Sequence, residues 1–99
     1  MAPRSQLHDL LVSITPHVYF QPPHNVTLEY PCIIYMRDFA DTKFADNEPF
    51  SVTKRYMVTV IDRDPDSDIP DKVAQLPSST FNRFYTADDL NHDVYQVFF

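Results

Sequence analysis

The chain has 99 residues, 43% hydrophobic and 22% charged, with a formal net charge of −6, which fits one folded domain with a modest core. It contains no glycine, which excludes the glycine-dependent phosphate loops of P-loop and dinucleotide-binding proteins. Eight scattered Lys and Arg residues against fourteen Asp and Glu argue against a surface that grips DNA, but not against one that DNA passes without sticking.

Leu7, Leu10, Leu11 and Ile14 fall at i, i+3, i+4 and i+7, the spacing of one helix face. Pro3 or Ser5 suits the start of this helix and Thr15-Pro16 its end. Val18 to Gln21 reads as a short extended piece closed by Pro22-Pro23. Leu28 to Met36, with Pro31-Cys32-Ile33-Ile34-Tyr35 at its centre, reads as a central strand. Residues 37–54 break the pattern by mixing charges with Phe39, Phe44 and Phe50, and read as a long loop. Arg55 to Asp62 alternates as a strand, with Tyr56, Val58 and Val60 on one face. A short helix over Ile69 to Leu76 follows, capped by Ser67 or Asp68, with Pro70 in its first turn. Phe81 to Ala87 and Asp93 to Phe99 read as two strands joined by Asp88 to His92. The expected fold is α+β: one small domain over residues 1–99, a mostly antiparallel sheet flanked by two helices, in the order α-β-β-long loop-β-α-β-β. Without glycine, turns that need positive φ fall to Asn or Asp, and Asn47, Asn82 and Asn91 are the candidates.

The chemistry-bearing residues do not assemble into a reactive set. Counted from Asp62, the acidic run through Asp68 lacks the Gly at position 6 and Glu at position 12 of a calcium loop, so it reads as a strand-to-helix turn with acids at a helix N-terminus. His8, His17, His24 and His92 have no zinc spacing, and a local hydrogen bond is the role expected of His92. Cys32, the only cysteine, lies in an apolar strand, where burial raises a thiol pKa and makes it inert. It can form no intrachain disulfide, which suits a reducing compartment. The triplet Asn25-Val26-Thr27 matches a glycosylation acceptor, but Met1–Leu11 does not read as a signal peptide. No apolar run approaches the roughly 20 residues that span a bilayer, so no membrane partner is expected. No nucleophile, acid–base pair, metal or cofactor is expected, and the reading is of a protein that is not an enzyme. The stretch 37–54 is either a solvated flap or an arm that reaches a neighbour; its three phenylalanines favour the arm.

Four strings carry a family resemblance: Val18-Tyr19-Phe20-Gln21-Pro22-Pro23, Tyr30-Pro31-Cys32-Ile33-Ile34-Tyr35, Tyr56 through Ser67, and Leu90-Asn91-His92-Asp93-Val94-Tyr95. Together they resemble the tail terminator, or tail-completion, proteins of long-tailed bacteriophages (siphophages), over nearly the whole chain. The resemblance implies a homomeric ring, a hexamer, on the head-proximal end of the tail tube. Such a ring stops tube polymerisation and presents a joining surface to the head, with DNA passing through its lumen. The implied partners are further copies of the chain, the major tail tube protein, the head–tail connector (stopper) protein and, without specificity, phage DNA. The implied location is the virion tail, reached from the host cytoplasm during assembly. The family has no catalytic residues to carry over.

A closed ring needs heterologous interfaces, and strand edges and aromatic residues supply them. Phe39, Phe44 and Phe50 are the candidates for subunit or tube contact. Asp38, Asp41, Asp46 and Glu48 are the candidates for an acidic lumen lining that repels DNA phosphates. Two other roles remain open: a neighbouring head–tail connector subunit (adaptor or stopper), and a phage adaptor that binds a host protein.

Overall fold

The computed structural model describes residues 3–45 and 48–99; the side chains of residues 41, 43–45 and 48–52 lie outside that description. The elements run α1 (Arg4–Ile14), β1 (Val18–Phe20), β2 (Cys32–Ala45), β3 (Glu48–Asp62), α2 (Ile69–Ala74), β4 (Ser79–Ala87) and β5 (Leu90–Phe98). The five strands form one mixed sheet in the order β1-β2-β3-β5-β4. Only β1 and β2 run parallel; every other neighbouring pair is antiparallel. This is the α+β arrangement with a mostly antiparallel sheet and two helices that the sequence predicts.

Both helices lie on one face of the sheet. Alternation along β3 sends Tyr56, Val58 and Val60 to that face, where they pack with Leu7 and Leu11 of α1, Ile33 and Tyr35 of β2, Ile69 and Val73 of α2, and Tyr95 and Val97 of β5. Thr15 ends α1 in extended backbone, as Thr15-Pro16 predicts. Leu10, expected on the buried stripe, is 39% exposed. A helix resting on a flat sheet buries a narrow stripe, and Leu7, Leu11 and Ile14 fill it. On the opposite face a smaller cluster of Cys32, Ile61 and Leu90 is covered by Tyr19, Tyr30 and Ile34.

The buried hydroxyl of Tyr35 ties α1 to the sheet. Arg4 Nη1 donates to Tyr35 Oη at 2.9 Å, and His8 Nδ1 stands 2.7 Å from the same oxygen. Arg4 also lies 4.3 Å over the Phe20 ring, so its charge is shared between a hydroxyl and a π face. Burial pushes the Tyr35 hydroxyl pKa up, against the lowering effect of the Arg4 hydrogen bond.

Outside residues 37–54, two boundaries differ most from expectation. β2 starts at Cys32, after a cis Tyr30–Pro31 bond, rather than at Leu28. The β4–β5 connection is a two-residue turn, because Ala87 pairs directly with Leu90. Asp88 (φ 54°) and Asp89 (φ 62°) adopt the left-handed conformation that such a hairpin requires. Gln21 (45°) and Ser78 (59°) also have positive φ. Asn82 and Asn91 instead lie within strands, and Asn47 lies outside the described residues. The Asp-Asp pair serves because its short polar side chains tolerate φ > 0 better than most.

Truncating Leu11 to Ala removes a fully buried side chain at the helix–sheet contact. The expected loss is about 2–5 kcal/mol of unfolding free energy in urea titrations, whereas Leu10→Ala should lose under about 1 kcal/mol.

Candidate assembly interface

The expected loop at 37–54 is absent: β2 and β3 continue through it as one antiparallel ladder from Cys32↔Ile61 to Ala45↔Glu48. The sheet supports only the lower part of this hairpin. β1 pairs with β2 at Ile33, Ile34 and Tyr35, and β5 pairs with β3 between Arg55 and Asp62. Beyond those points the two strands pair with each other and, among the described residues, with no further strand. The result is a projecting arm, and the protein is 51 Å long against 28 and 23 Å in its other directions.

The arm is anchored at its root. Arg55 Nε donates to Asp38 Oδ1 at 3.0 Å and Nη2 to Oδ2 at 3.4 Å, a two-pronged contact between β3 and β2. The same guanidinium lies 4.9 Å from the centre of the Phe39 ring, beside the register shift between Arg37 and Phe39. Phe39 is itself 48% exposed. Asp38 therefore belongs to a neutral pair and presents little net negative field. Asp46 lies outside the described residues, as do the side chains of Asp41, Phe44, Glu48 and Phe50. Their backbone, that of Asp46 apart, places them on the arm.

The other conspicuous surface is β4. All of its residues are exposed except half-buried Ser79, and its outer edge has no partner strand among the described residues. Phe81 and Phe84 are 55% and 48% exposed and lie on the helix face of the sheet. Tyr85 projects to the opposite face, stacked on His92 at 4.5 Å, with Arg83 5.4 Å from its ring. His92 Nδ1 also lies 3.1 Å from Leu90 O, the local contact expected of it. Edge strands of globular proteins are usually short, charged or covered; this one is nine residues long with one charged side chain. Its β-rich, aromatic composition is shared with interior strands, so composition does not distinguish it from one.

The remaining chemistry is local. In the acidic turn, Asp62 Oδ1 accepts from Asp64 N and Asp64 Oδ1 from Asp66 N, both at 2.9 Å, so these carboxylates brace the turn into α2. Ser67 Oγ accepts from Ile69 N at 3.3 Å. Among the described residues no three His, Cys, Asp or Glu side chains converge as a metal site, and no helix is long and apolar enough to cross a membrane. Cys32 is fully buried, and burial first and the Asp62 charge second push its thiol up to about 11. Burial and the nearby Asp71 charge also push the Asp93 carboxyl up. Shallow hollows indent the surface among the described residues. One, of about 320 Å³, lies between α1 and Phe99; another, of about 410 Å³, lies at the Asp88-Asp89 turn. Neither is lined by a nucleophile paired with a base.

No protein-family model matches the chain, and no curated protein matches it.

Replacing Asp38 by Asn should loosen the arm while leaving the domain folded. Losing one charge-assisted contact that is partly open to water costs about 1 kcal/mol, so amides of residues 38–42 should exchange roughly fivefold faster. Those of residues 56–61 should be unchanged.

Proposed function

We propose that this chain is a structural subunit that assembles with copies of itself into a ring, in the manner of the tail terminator proteins its sequence resembles. The observation that carries this reading is the pairing of two exposed devices on one rigid sheet. A hairpin arm stands clear of the fold, and an aromatic strand lies open along the sheet edge. Both are costly for a solitary protein, since an unsupported two-stranded hairpin is marginal in water and an open apolar edge invites pairing.

Surface bookkeeping points the same way. A compact monomer of 11.6 kDa exposes about 5,800 Å², and this chain exposes 6351 Å². Its radius of gyration is 14.6 Å, where a compact chain of this length has roughly 12.6 Å. The excess surface includes Phe39, Phe81, Phe84 and Phe98, all well exposed. Assembly would bury it.

On this reading the ring caps the head-proximal end of the tail tube, with the arm reaching toward a neighbour or the tube through Phe39, Phe44 and Phe50. Asp41, Asp46 and Glu48 would supply acidic charge to the lumen; Asp38 is already offset by Arg55. Net charge of −6 suits a channel that DNA must traverse without adhering.

Electron microscopy of tails assembled with and without this chain tests the proposal. Overlong or headless tubes in its absence are expected. Tails of normal length joined to heads would contradict it.

A further inference from the structure

The strand registers fix the relative heights of the two outer edges of the sheet. Phe20 of β1 aligns through Tyr35, Val58 and Tyr95 with Phe81 of β4. Tyr19 aligns through Ile34, Thr59 and Val94 with Arg83. Val18 aligns through Ile33, Val60 and Asp93 with Phe84. The three residues of β1 therefore stand level with the centre of β4 at the far edge. The facing also agrees: Val18, Phe20, Phe81 and Phe84 lie on the helix face, Tyr19 and Arg83 on the other. The strand directions make β1 and β4 antiparallel, since β1 runs with β2 and three antiparallel steps separate β2 from β4.

From these alignments we propose that β4 of one copy adds to the outer edge of β1 of a second copy, head to tail. The proposal rests on the self-assembly reading above and specifies its contact. Ile33 N donates to His17 O and Gln21 N to Tyr35 O, so the odd-numbered residues of this segment face β2. Val18 and Phe20 accordingly turn their own N–H and C=O groups outward, toward the incoming strand. Copies placed side by side in the same orientation bring β4 against β1 antiparallel, Phe81 and Phe84 beside Phe20 and Val18. Because the edges are level, the operation needs no shift along the strands; with no rise imposed, the copies form a ring when the rotation between neighbours closes and an open filament when it does not.

Charge complementarity selects a second copy as the occupant. Glu29 N donates to the Tyr19 hydroxyl at 3.4 Å, which puts the Glu29 backbone on the face away from the helices, and its carboxylate reaches His17, the residue before β1. That carboxylate is 70% exposed and lies 3.4 Å from the partly exposed His17. Arg83 stands at the height of Tyr19 on the same face of the opposite edge. Head-to-tail contact therefore brings Arg83 of one copy to Glu29 of the next. The area is adequate: three half-exposed aromatics on β4 offer about 300 Å². The other exposed residues of the strand extend this toward the roughly 800 Å² each partner gives a stable interface.

The test is a double variant, Val18→Cys with Phe84→Cys, oxidised at assembling concentrations and run on denaturing gels. Within one chain the two positions are four strand spacings apart, about 19 Å, too far for a disulfide. A ladder of covalent oligomers ending at one closed size is expected. In parallel, Arg83→Glu should weaken association at least tenfold in sedimentation, and adding Glu29→Arg should restore it, with melting temperatures reporting that each variant folds. Assembly without a ladder, or with no effect of Arg83→Glu, would overturn the β1–β4 contact and leave self-assembly standing. Cross-linking of Phe84→Cys alone into dimers would replace it by a β4–β4 contact. A wild-type chain that stays monomeric at every concentration would overturn both the contact and the ring.

Discussion

The antiparallel ladder between β2 and β3 is the constraint from which the rest of the molecule follows. Its lower part, around Cys32↔Ile61 to Arg37↔Tyr56, is the centre of the sheet, flanked by β1 on one side and β5 on the other. There, strict alternation gives the helices one apolar face to cover and leaves Cys32 and Ile61 to a smaller cluster behind. Its upper part has no such flanks. One pair of strands thus serves both as core and as projection, and rigidity in the first positions the second. The Arg55–Asp38 contact sits where the two regimes meet.

The same ladder sets the heights of everything on the sheet edges. Antiparallel hydrogen bonds run perpendicular to the strands, so register carries across from β2 to β4 without accumulating a shift, apart from the irregularity at Asn82. That irregularity takes one residue out of step, which lets Phe81 and Phe84 both face the helix side although they are three residues apart. An edge strand with two phenylalanines on one face and a tyrosine on the other has apolar surface to offer in both directions. A monomer gains nothing from this; an assembling subunit gains a contact that is apolar on both sides of the joined sheet.

Every helix and strand was legible in the sequence, in the right order, and each that buries one face repeats at its own period; β4, exposed along its length, carries only β-rich composition. Leu7 and Leu11 mark α1, Tyr56 to Ile61 mark β3, and Pro70 with Ser67 marks the start of α2. The arm was not legible as strand, and the reason is physical: alternation records burial, and a hairpin outside the core has no buried face to record. Arg37, Asp38 and Lys43 therefore read as loop. The β4–β5 turn was hidden because Asp88-Asp89 stands where Asn-Gly is the usual signal. Of the candidate contact residues, Phe39 is an exposed ring held at the root of the arm, and the exposed aromatics of β4 look in the sequence like ordinary strand residues. Exposure at a sheet edge is a property of topology, which one strand's pattern does not contain.

In the proposed assembly, the edges left open in the single chain are closed by other copies of it. Hydrogen exchange on the assembled and the diluted protein tests this directly. The amides of Val18 and Phe20, and the outward amides along β4, should exchange at least tenfold more slowly on assembly, while those of the β2–β3 core keep their rates. Identical exchange along β1 and β4 in both states, in a preparation that has demonstrably assembled, would contradict it.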